Sequence, residues 1–151
     1  MAYILVVDDD DIVAEHAARV LLDAGHACGF VSDAETAWEL LKQRRPDLIV
    51  LDHNMPGENG GSLLRRIRSS PDLYDVPVIM LTGIQEVEQE QIAYYNGAQD
   101  YIRKPFSPRM LTYRVREVLR AREASARPKG RAGLEWDFTP ARPSNANTRF
   151  I

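Results

Sequence analysis

Short apolar runs alternate with stretches of helical spacing from Tyr3 to about Arg122. The runs have six residues or fewer, are rich in β-branched side chains and mostly do not alternate in polarity. They are Tyr3–Val7, Ala27–Val31, Leu48–Leu51, Val76–Leu81 and Tyr101–Ile102. Strands that are buried on both faces of a sheet have this pattern. We therefore predict five buried strands.

Apolar residues in the intervening segments recur about every 3.6 positions, as in amphipathic helices. Ser32 with Glu35 predicts a capping box, Asn96-Gly97 a left-handed helix end, and Ser107-Pro108 an N-cap followed by proline. Five helices that alternate with five strands predict an α/β fold with a parallel sheet covered on both faces. Functional sites in such folds lie beyond the carboxyl ends of the strands.

The pattern stops after about Arg122. We therefore predict a domain over residues 1–122 and an irregular, flexible C-terminal tail over residues 123–151. The tail has five basic and three acidic residues and three prolines, a composition that favours disorder. It also contains Trp136 and Phe138, so docking of part of the tail on the domain or on a partner stays open.

Composition narrows the classes of function. The formal net charge of −3 argues against a surface built to hold nucleic acid, so we expect no direct nucleic-acid binding. The one cysteine, Cys28, excludes an internal disulfide and a multi-cysteine zinc site. No apolar run approaches the roughly 18 residues that span a bilayer, and the first residues do not resemble a signal peptide. We expect a soluble, cytoplasmic protein that does not contact a membrane.

Polar and charged side chains follow four of the predicted strands. Asp8 and Asp9 follow the first strand, Asp52 the third, Thr82 the fourth and Lys104 the fifth. If the first strand lies between its neighbours, the three carboxylates converge on one pocket. Two carboxylates 4 Å apart repel by about 4 kcal/mol at an effective dielectric near 20, and one lysine cannot neutralise three of them. We therefore expect a hard divalent cation with oxygen ligands, Mg²⁺, at this place.

Phosphoryl transfer to Asp52 is the chemistry that such a pocket favours. The Thr82 hydroxyl and the Lys104 ammonium can donate to phosphoryl oxygens, and the Asp52 carboxylate can form an acyl phosphate by in-line displacement. Each residue alone has an ordinary explanation, such as an acidic first turn of a helix or a polar turn. Their joint occurrence at the ends of different strands favours the functional interpretation.

These positions lie in four motifs that resemble the receiver domain of two-component response regulators. The motifs are Ile4–Asp9 (ILVVDD), Asp47–Gly57 (DLIVLDHNMPG) with Gly60, Val78–Gly83 (VIMLTG) and Gly97–Phe106 (GAQDYIRKPF). The resemblance spans about residues 3–122. It implies a flavodoxin-like, doubly wound sheet of five parallel strands in the order 2-1-3-4-5, with five helices.

The resemblance also implies a phosphoacceptor and a metal site. Asp52 would accept the phosphoryl group from a histidine kinase or a histidine phosphotransferase. Asp52 would also belong to the Mg²⁺ site, where Asp9 would ligate the ion directly, Asp8 mainly through water, and Asn54 through its backbone carbonyl.

Further roles follow from the same resemblance. Lys104 would pair with the phosphoryl group and, before phosphorylation, with Asp52. Thr82 would move toward the phosphoryl oxygen and Tyr101 would turn inward behind it as the aromatic switch residue. The Lys104-Pro105 peptide bond would be cis.

Three functions compete for this sequence. We expect a signalling switch rather than an enzyme, without an output domain of its own, that binds an unidentified downstream protein or passes the phosphoryl group onward. Alternatively, the chain is the N-terminal receiver of a longer regulator with a DNA-binding or cyclic-dinucleotide module. A Mg²⁺-dependent phosphohydrolase would need an acid two residues after the nucleophile, and that position is Asn54, which disfavours this third function.

The last predicted helix resembles that of receivers that dimerise through their fourth helix, fifth strand and fifth helix. Asp100 and Arg114 match one salt bridge across such dimers. The segment Gln85–Gln91, however, lacks the expected basic partner, and Met110 replaces the usual acid. A homodimer of this type stays an open expectation.

Overall fold

Strands and helices alternate in the computed structural model, which describes residues 1–83 and 97–126. The strands are β1 (Tyr3–Val7), β2 (Ala27–Val31), β3 (Leu48–Asp52), β4 (Val78–Thr82) and β5 (Asp100–Arg103). The described helices are α1 (Asp11–Asp23), α2 (Ala34–Gln43), α3 (Gly60–Arg68) and α4 (Pro108–Ala126). The fourth predicted helix falls on residues 84–96, outside the described residues, so α4 is the fifth helix of the prediction.

The five strands form one parallel sheet in the order β2-β1-β3-β4-β5. This confirms the predicted order and the flavodoxin-like architecture. Every residue of β3 and β4 is buried, which explains why their sequences are continuous apolar runs. The prediction of five buried strands is wrong for β2 and β5, which are only partly buried because they lie at the edges of the sheet. Since β1 pairs with both β2 and β3, its carboxyl end opens beside that of β3, and Asp8 follows β1 directly.

The chain divides into two units, one over Met1–Val118 and one over Leu119–Ile151. The first unit contains the sheet and its hydrophobic core, in which α3 buries Leu63, Leu64 and Ile67. Of the second unit, residues 119–126 are described, as the last turns of α4. The apolar tail residues Trp136 and Phe138 lie outside the described residues, and the predicted boundary at residue 122 stays a prediction.

The helix ends confirm part of the predicted capping. Ser107 precedes α4, and its Oγ accepts a hydrogen bond from the Met110 backbone N–H at 3.0 Å. Gly97 has a positive φ of +105°, but Asn96 and the helix that this pair was predicted to end lie outside the described residues, so that helix end stays a prediction. The prediction of a capping box at Ser32 is wrong. Asp33 is the N-cap of α2, and its carboxylate accepts a hydrogen bond from the Thr36 backbone N–H at 2.7 Å. No helix within residues 1–83 and 97–126 combines the length and the apolar character that a membrane span requires.

Candidate functional site at the carboxyl edge of the sheet

The acidic run Asp8–Asp11 splits into residues with different structural roles. Asp8 is fully buried, whereas Asp9 is exposed. Asp10 is the N-cap of α1, and its Oδ1 accepts from the backbone N–H groups of the first turn. Asp11 lies in that first turn, where a carboxylate interacts favourably with the helix dipole. Only the first two carboxylates are therefore available to the edge of the sheet.

Three carboxylates from two strand ends meet at this edge. One oxygen each of Asp8, Asp9 and Asp52 can be chosen so that all three lie within 4.8 Å of one another. Asp52 is the last residue of β3 and is 3% exposed. The predicted convergence of these three side chains is confirmed. With Lys104 they are called the acidic site below.

Lys104 enters the acidic site from the far side of β4. Its Nζ lies 2.8 Å from Asp8 Oδ2 and 3.1 Å from Asp52 Oδ1. The Lys104 backbone N–H donates to the Thr82 carbonyl at 2.7 Å, which holds the segment after β5 against the end of β4. The Lys104-Pro105 bond is cis, as the resemblance implied. A single ammonium therefore contacts the two buried carboxylates at once.

Burial and charge shift the proton affinities of the acidic site. Burial, together with the negative charge of Asp8, raises the pKa of Asp52 to about 7, although the Lys104 ammonium opposes this rise. Burial by itself lowers the pKa of Lys104, but the carboxylates of Asp8 and Asp52 outweigh it and raise this pKa. The site therefore holds more negative charge than one ammonium neutralises, which favours the protonated form of Asp52.

The remaining predicted residues lie around the acidic site. Thr82 ends β4 and is 1% exposed, and its Oγ1 has no hydrogen-bond partner among the residues that the structure describes. The Asn54 backbone N–H donates to Asp52 Oδ1 at 3.4 Å. Tyr101 lies in β5, next to β4, and packs half-buried against the hydrophobic core. Thr82 and Asn54 therefore adjoin Asp52, and Tyr101 lies one strand further along the sheet.

The donor set fits a magnesium ion. Carboxylate oxygens from three side chains are the hard oxygen ligands that Mg²⁺ prefers. The orphaned Thr82 hydroxyl and the excess of negative charge fit a site that binds a cation and an anionic group together. Asp8, Asp9 and Asp52, with the Asn54 carbonyl, would hold the ion.

Gly60 has a structural role that the sequence motif alone did not assign. A Cβ at this position would lie 2.1 Å from the Asp52 carbonyl oxygen and 3.0 Å from His53 Cα. The Gly60 backbone N–H donates to the His53 carbonyl at 3.0 Å. The first residue of α3 therefore packs directly on the end of β3. The sequence offered one signal of this close packing: two glycines stand at the start of a helix, although alanine is the better helix former.

Asp100 and Arg114 form an ion pair within one chain. Arg114 Nη1 lies 2.7 Å from Asp100 Oδ1 and donates to the Tyr101 carbonyl at 3.2 Å. The segment Gln85–Gln91 lies outside the described residues. The homodimer therefore stays a prediction.

Comparison with known proteins gives one family. The model of the response regulator receiver domain matches residues 4–116. The phosphate regulon transcriptional regulatory protein PhoB of Pseudomonas aeruginosa is 41% identical over 117 residues, which are 78% of this chain and 51% of PhoB. The DNA-binding response regulator MtrA of Mycolicibacterium smegmatis is 38% identical over 120 residues, which are 80% of this chain and 51% of MtrA. The chain thus spans about half the length of these curated relatives.

The solved structures agree on the fold. The chemotaxis response regulator CheY4 of Vibrio cholerae superposes with a TM-score of 0.74 at 30% identity, and the match covers 78% of this chain and 98% of that one. The receiver domain of NtrX from Brucella abortus also has a TM-score of 0.74, at 33% identity over 78% and 98% of the two chains. Since the family model covers most of the chain and the fold agrees, this protein belongs to the response regulator receiver domain family.

Proposed function

We propose that the chain is a phosphorylation-controlled signalling switch and that Asp52 is its phosphoacceptor. The observation that carries this proposal is the acidic site itself, in which Lys104 Nζ contacts both Asp8 and Asp52. Asp52 ends β3 at the carboxyl edge of the sheet, where its carboxylate is buried beside the exposed Asp9. As a receiver domain, the chain has a histidine kinase as its expected partner, and a histidine phosphotransferase is the second candidate donor.

The transfer follows from the groups that surround Asp52. A carboxylate oxygen of Asp52 attacks phosphorus in line with the departing imidazole nitrogen of the donor, so an O–P bond forms as the P–N bond breaks. The Lys104 ammonium moves from the carboxylates to a phosphoryl oxygen, which preserves its charge pairing. The Thr82 hydroxyl, which lacks a described partner, donates to a second phosphoryl oxygen.

Magnesium completes the proposed site. When bound by Asp8, Asp9, Asp52 and the Asn54 carbonyl, the ion supplies positive charge that offsets the anionic phosphoryl group. The protein residues fix the nucleophile, because the Asn54 backbone N–H and the Lys104 ammonium both contact Asp52 Oδ1. The raised pKa of Asp52 makes this loading compete with protons.

We propose that phosphorylation is transmitted through Thr82 and Tyr101. Thr82 ends β4, and Tyr101 lies in the adjacent strand, paired with Met80. Movement of Thr82 toward the phosphoryl group would vacate space beside β5, and the half-buried Tyr101 ring can turn into it. Downstream proteins would distinguish the two positions of Tyr101.

Mass spectrometry tests the proposed phosphoacceptor. Incubation of the purified chain with acetyl phosphate and Mg²⁺ should add the mass of one phosphoryl group. The isosteric variant Asp52→Asn should add none, whereas the exposed control Asp23→Asn should behave as the native chain does. Equal phosphorylation of Asp52→Asn and the native chain would refute the assignment.

The output of the switch has two candidate forms. MtrA is named a DNA-binding response regulator and PhoB a transcriptional regulatory protein, which supports a receiver that works within a longer, DNA-binding regulator. The nearly complete coverage of CheY4 supports a receiver that acts alone. An antibody against this chain distinguishes them in cell extract: a band near 17.1 kDa indicates a separate receiver, and a band of about one and a half times that mass indicates a regulator as long as PhoB.

Localisation and self-association complete the proposal. We place the switch in the cytoplasm, consistent with its single cysteine. We propose slow self-dephosphorylation rather than turnover of substrates, because Asn54, two residues after Asp52, cannot act as a general acid or base. Homodimerisation is proposed through β5, α4 and the predicted fourth helix, which falls on residues 84–96 outside the described part of the chain, and size-exclusion chromatography with and without acetyl phosphate tests it.

A further inference from the structure

Three side chains outside the acidic site form a continuous chain of contacts. Glu58 lies in the loop between β3 and α3, and its carboxylate accepts from Ser62 Oγ at 3.0 Å and from Arg66 Nη1 at 2.5 Å. The Arg66 guanidinium lies over the ring of Trp38 on α2, with Cζ 4.3 Å from the ring centroid. Glu58, Arg66 and Trp38 are called the Glu58 clamp.

The Glu58 clamp restricts its own side chains. The side chains of Arg66 and Glu58 are only 35% and 20% exposed, so solvent screens their ion pair less than it screens a fully exposed one. The planar guanidinium can stack on the indole face and direct an N–H toward a carboxylate at the same time. A lysine could keep the charge but not the planar stack. The clamp therefore depends on arginine at this position.

The restrained loop begins and ends beside the phosphoacceptor. The chain leaves β3 at Asp52 and returns at Gly60, whose backbone N–H donates to the His53 carbonyl at 3.0 Å. Between these points the Asn54 N–H points to Asp52 Oδ1. The Glu58 side chain connects this loop to Arg66 in the second turn of α3 and, through Arg66, to Trp38 on α2.

We propose that the Glu58 clamp positions the β3–α3 loop, and with it the Asn54 backbone, so that the acidic site binds Mg²⁺ tightly. This inference rests on the proposed function, since it assigns the clamp a role in loading the same site. Glu58, Arg66 and Trp38 are positioning residues, because the clamp acts on the reacting groups only through the loop. Loss of the clamp lets the loop move and weakens Mg²⁺ binding, while Asp52 and Lys104 remain in place.

Separate measurements of Mg²⁺ affinity and of phosphorylation rate test the clamp. Isothermal titration calorimetry of Arg66→Met should give a Kd for Mg²⁺ about 3–10-fold higher than that of the native chain, somewhat less than for a direct partner of a metal ligand. Phosphorylation by acetyl phosphate should slow by the same factor at low Mg²⁺ and recover at saturating Mg²⁺. Arg66→Lys should fall between the native chain and Arg66→Met, and the exposed neighbour Arg65→Met should match the native chain.

If the clamp had a purely structural role, its loss would lower thermal stability but would not weaken Mg²⁺ binding while leaving the phosphorylation rate at saturating Mg²⁺ unchanged. The proposal is overturned if folded Glu58→Gln and Arg66→Met bind Mg²⁺ within about twofold of the native chain. Should Arg66→Met fail to fold, Glu58→Gln and Trp38→Phe carry the same test. A native chain that neither binds Mg²⁺ nor accepts a phosphoryl group overturns the proposed function as well, whereas a native chain that does both, with unaffected clamp variants, overturns the clamp alone.

Discussion

Replacement of Gly60 by alanine should disrupt the end of β3 far more than the same change at Gly61. The added Cβ of Gly60→Ala would lie 2.1 Å from the Asp52 carbonyl oxygen and 2.9 Å from its carbonyl carbon. These are backbone atoms of the central sheet, so no side chain can rotate away. At Gly61 the nearest atoms are Asn59 Oδ1 at 3.4 Å and His53 Cε1 at 3.5 Å, which are ordinary contacts with side chains.

The two substitutions should differ in the sign of their effect on stability. Relief of the Gly60→Ala clash needs a shift of more than about 1 Å between α3 and β3, which we place at the upper end of the 1–3 kcal/mol cost of overpacking. The gain in helix propensity, up to about 1 kcal/mol, offsets part of it. We expect Gly60→Ala to lose about 2 kcal/mol of unfolding free energy and Gly61→Ala to gain up to about 1 kcal/mol.

Urea unfolding followed by circular dichroism measures both values at one pH. Phosphorylation by acetyl phosphate under conditions where both variants remain folded gives a second readout, because the forced shift acts on Asp52 itself. Gly60→Ala should be phosphorylated slowly and Gly61→Ala at the native rate. Equal unfolding free energies for the two variants, within about 0.5 kcal/mol, would refute the close packing of α3 on β3.

Three further predictions concern charge and protons. Lys104→Met leaves the buried carboxylates of Asp8 and Asp52 without their ammonium and should lower the free energy of unfolding by about 2–4 kcal/mol at pH 8. The loss should be smaller at pH 5, where Asp52 is protonated. Urea unfolding at both pH values measures it, and an equal loss at both would contradict the prediction. The pKa of Asp52 is about 7 in the folded chain and near 3.8 when unfolded, so the folded state binds the extra proton. The free energy of unfolding without Mg²⁺ should therefore fall as the pH rises from about 4 to about 7. Asp52→Asn should make this dependence on pH less steep, and an unchanged pH dependence would contradict the raised pKa. Burial raises the pKa of the Cys28 thiol to about 11, so iodoacetamide at pH 7.5 should alkylate it roughly 100-fold more slowly than free cysteine, and a rate equal to that of free cysteine would contradict this pKa.

The sheet could be predicted because its strands coincide with short apolar runs in the sequence. Strands covered on both faces need continuous apolar runs, and β1 begins and ends where its run does. The edge strand β2 also matches its run, although it is only partly buried and Phe30 is exposed. The fourth run was less informative, because Val76 and Pro77 are buried and apolar but precede the strand, which starts at Val78. Local pattern therefore identifies the strands better than it identifies their limits.

Helix caps were harder to predict because neighbouring polar residues compete for one position. Ser32 and Asp33 can both accept hydrogen bonds at a helix start, and spacing to Glu35 favoured Ser32. Asp33 caps α2 instead, since its carboxylate accepts from both the backbone N–H and the Oγ1 of Thr36. Such a choice depends on where the preceding strand ends, which the local pattern does not determine.

The acidic site could be predicted because parallel strands bring their carboxyl ends together. Asp8, Asp52 and Lys104 are distant in sequence but each follows a recognisable apolar run, so they meet if the first strand lies between its neighbours. The family resemblance supplied that strand order. The packing of Gly60 and the Glu58 clamp could not be predicted in this way. Both depend on how closely α3 approaches its neighbours, and the order of the elements does not contain that distance.

The central claim is that Asp52 captures the phosphoryl group, and chemical trapping tests it at residue level. Treatment of the acetyl phosphate-loaded chain with sodium borohydride reduces an aspartyl phosphate to homoserine, which peptide mass spectrometry can locate. Homoserine should occur at Asp52 and depend on Mg²⁺ during loading. Homoserine at Asp8 or Asp9 instead, or its absence from every aspartate of a chain that has gained phosphate, would contradict the account.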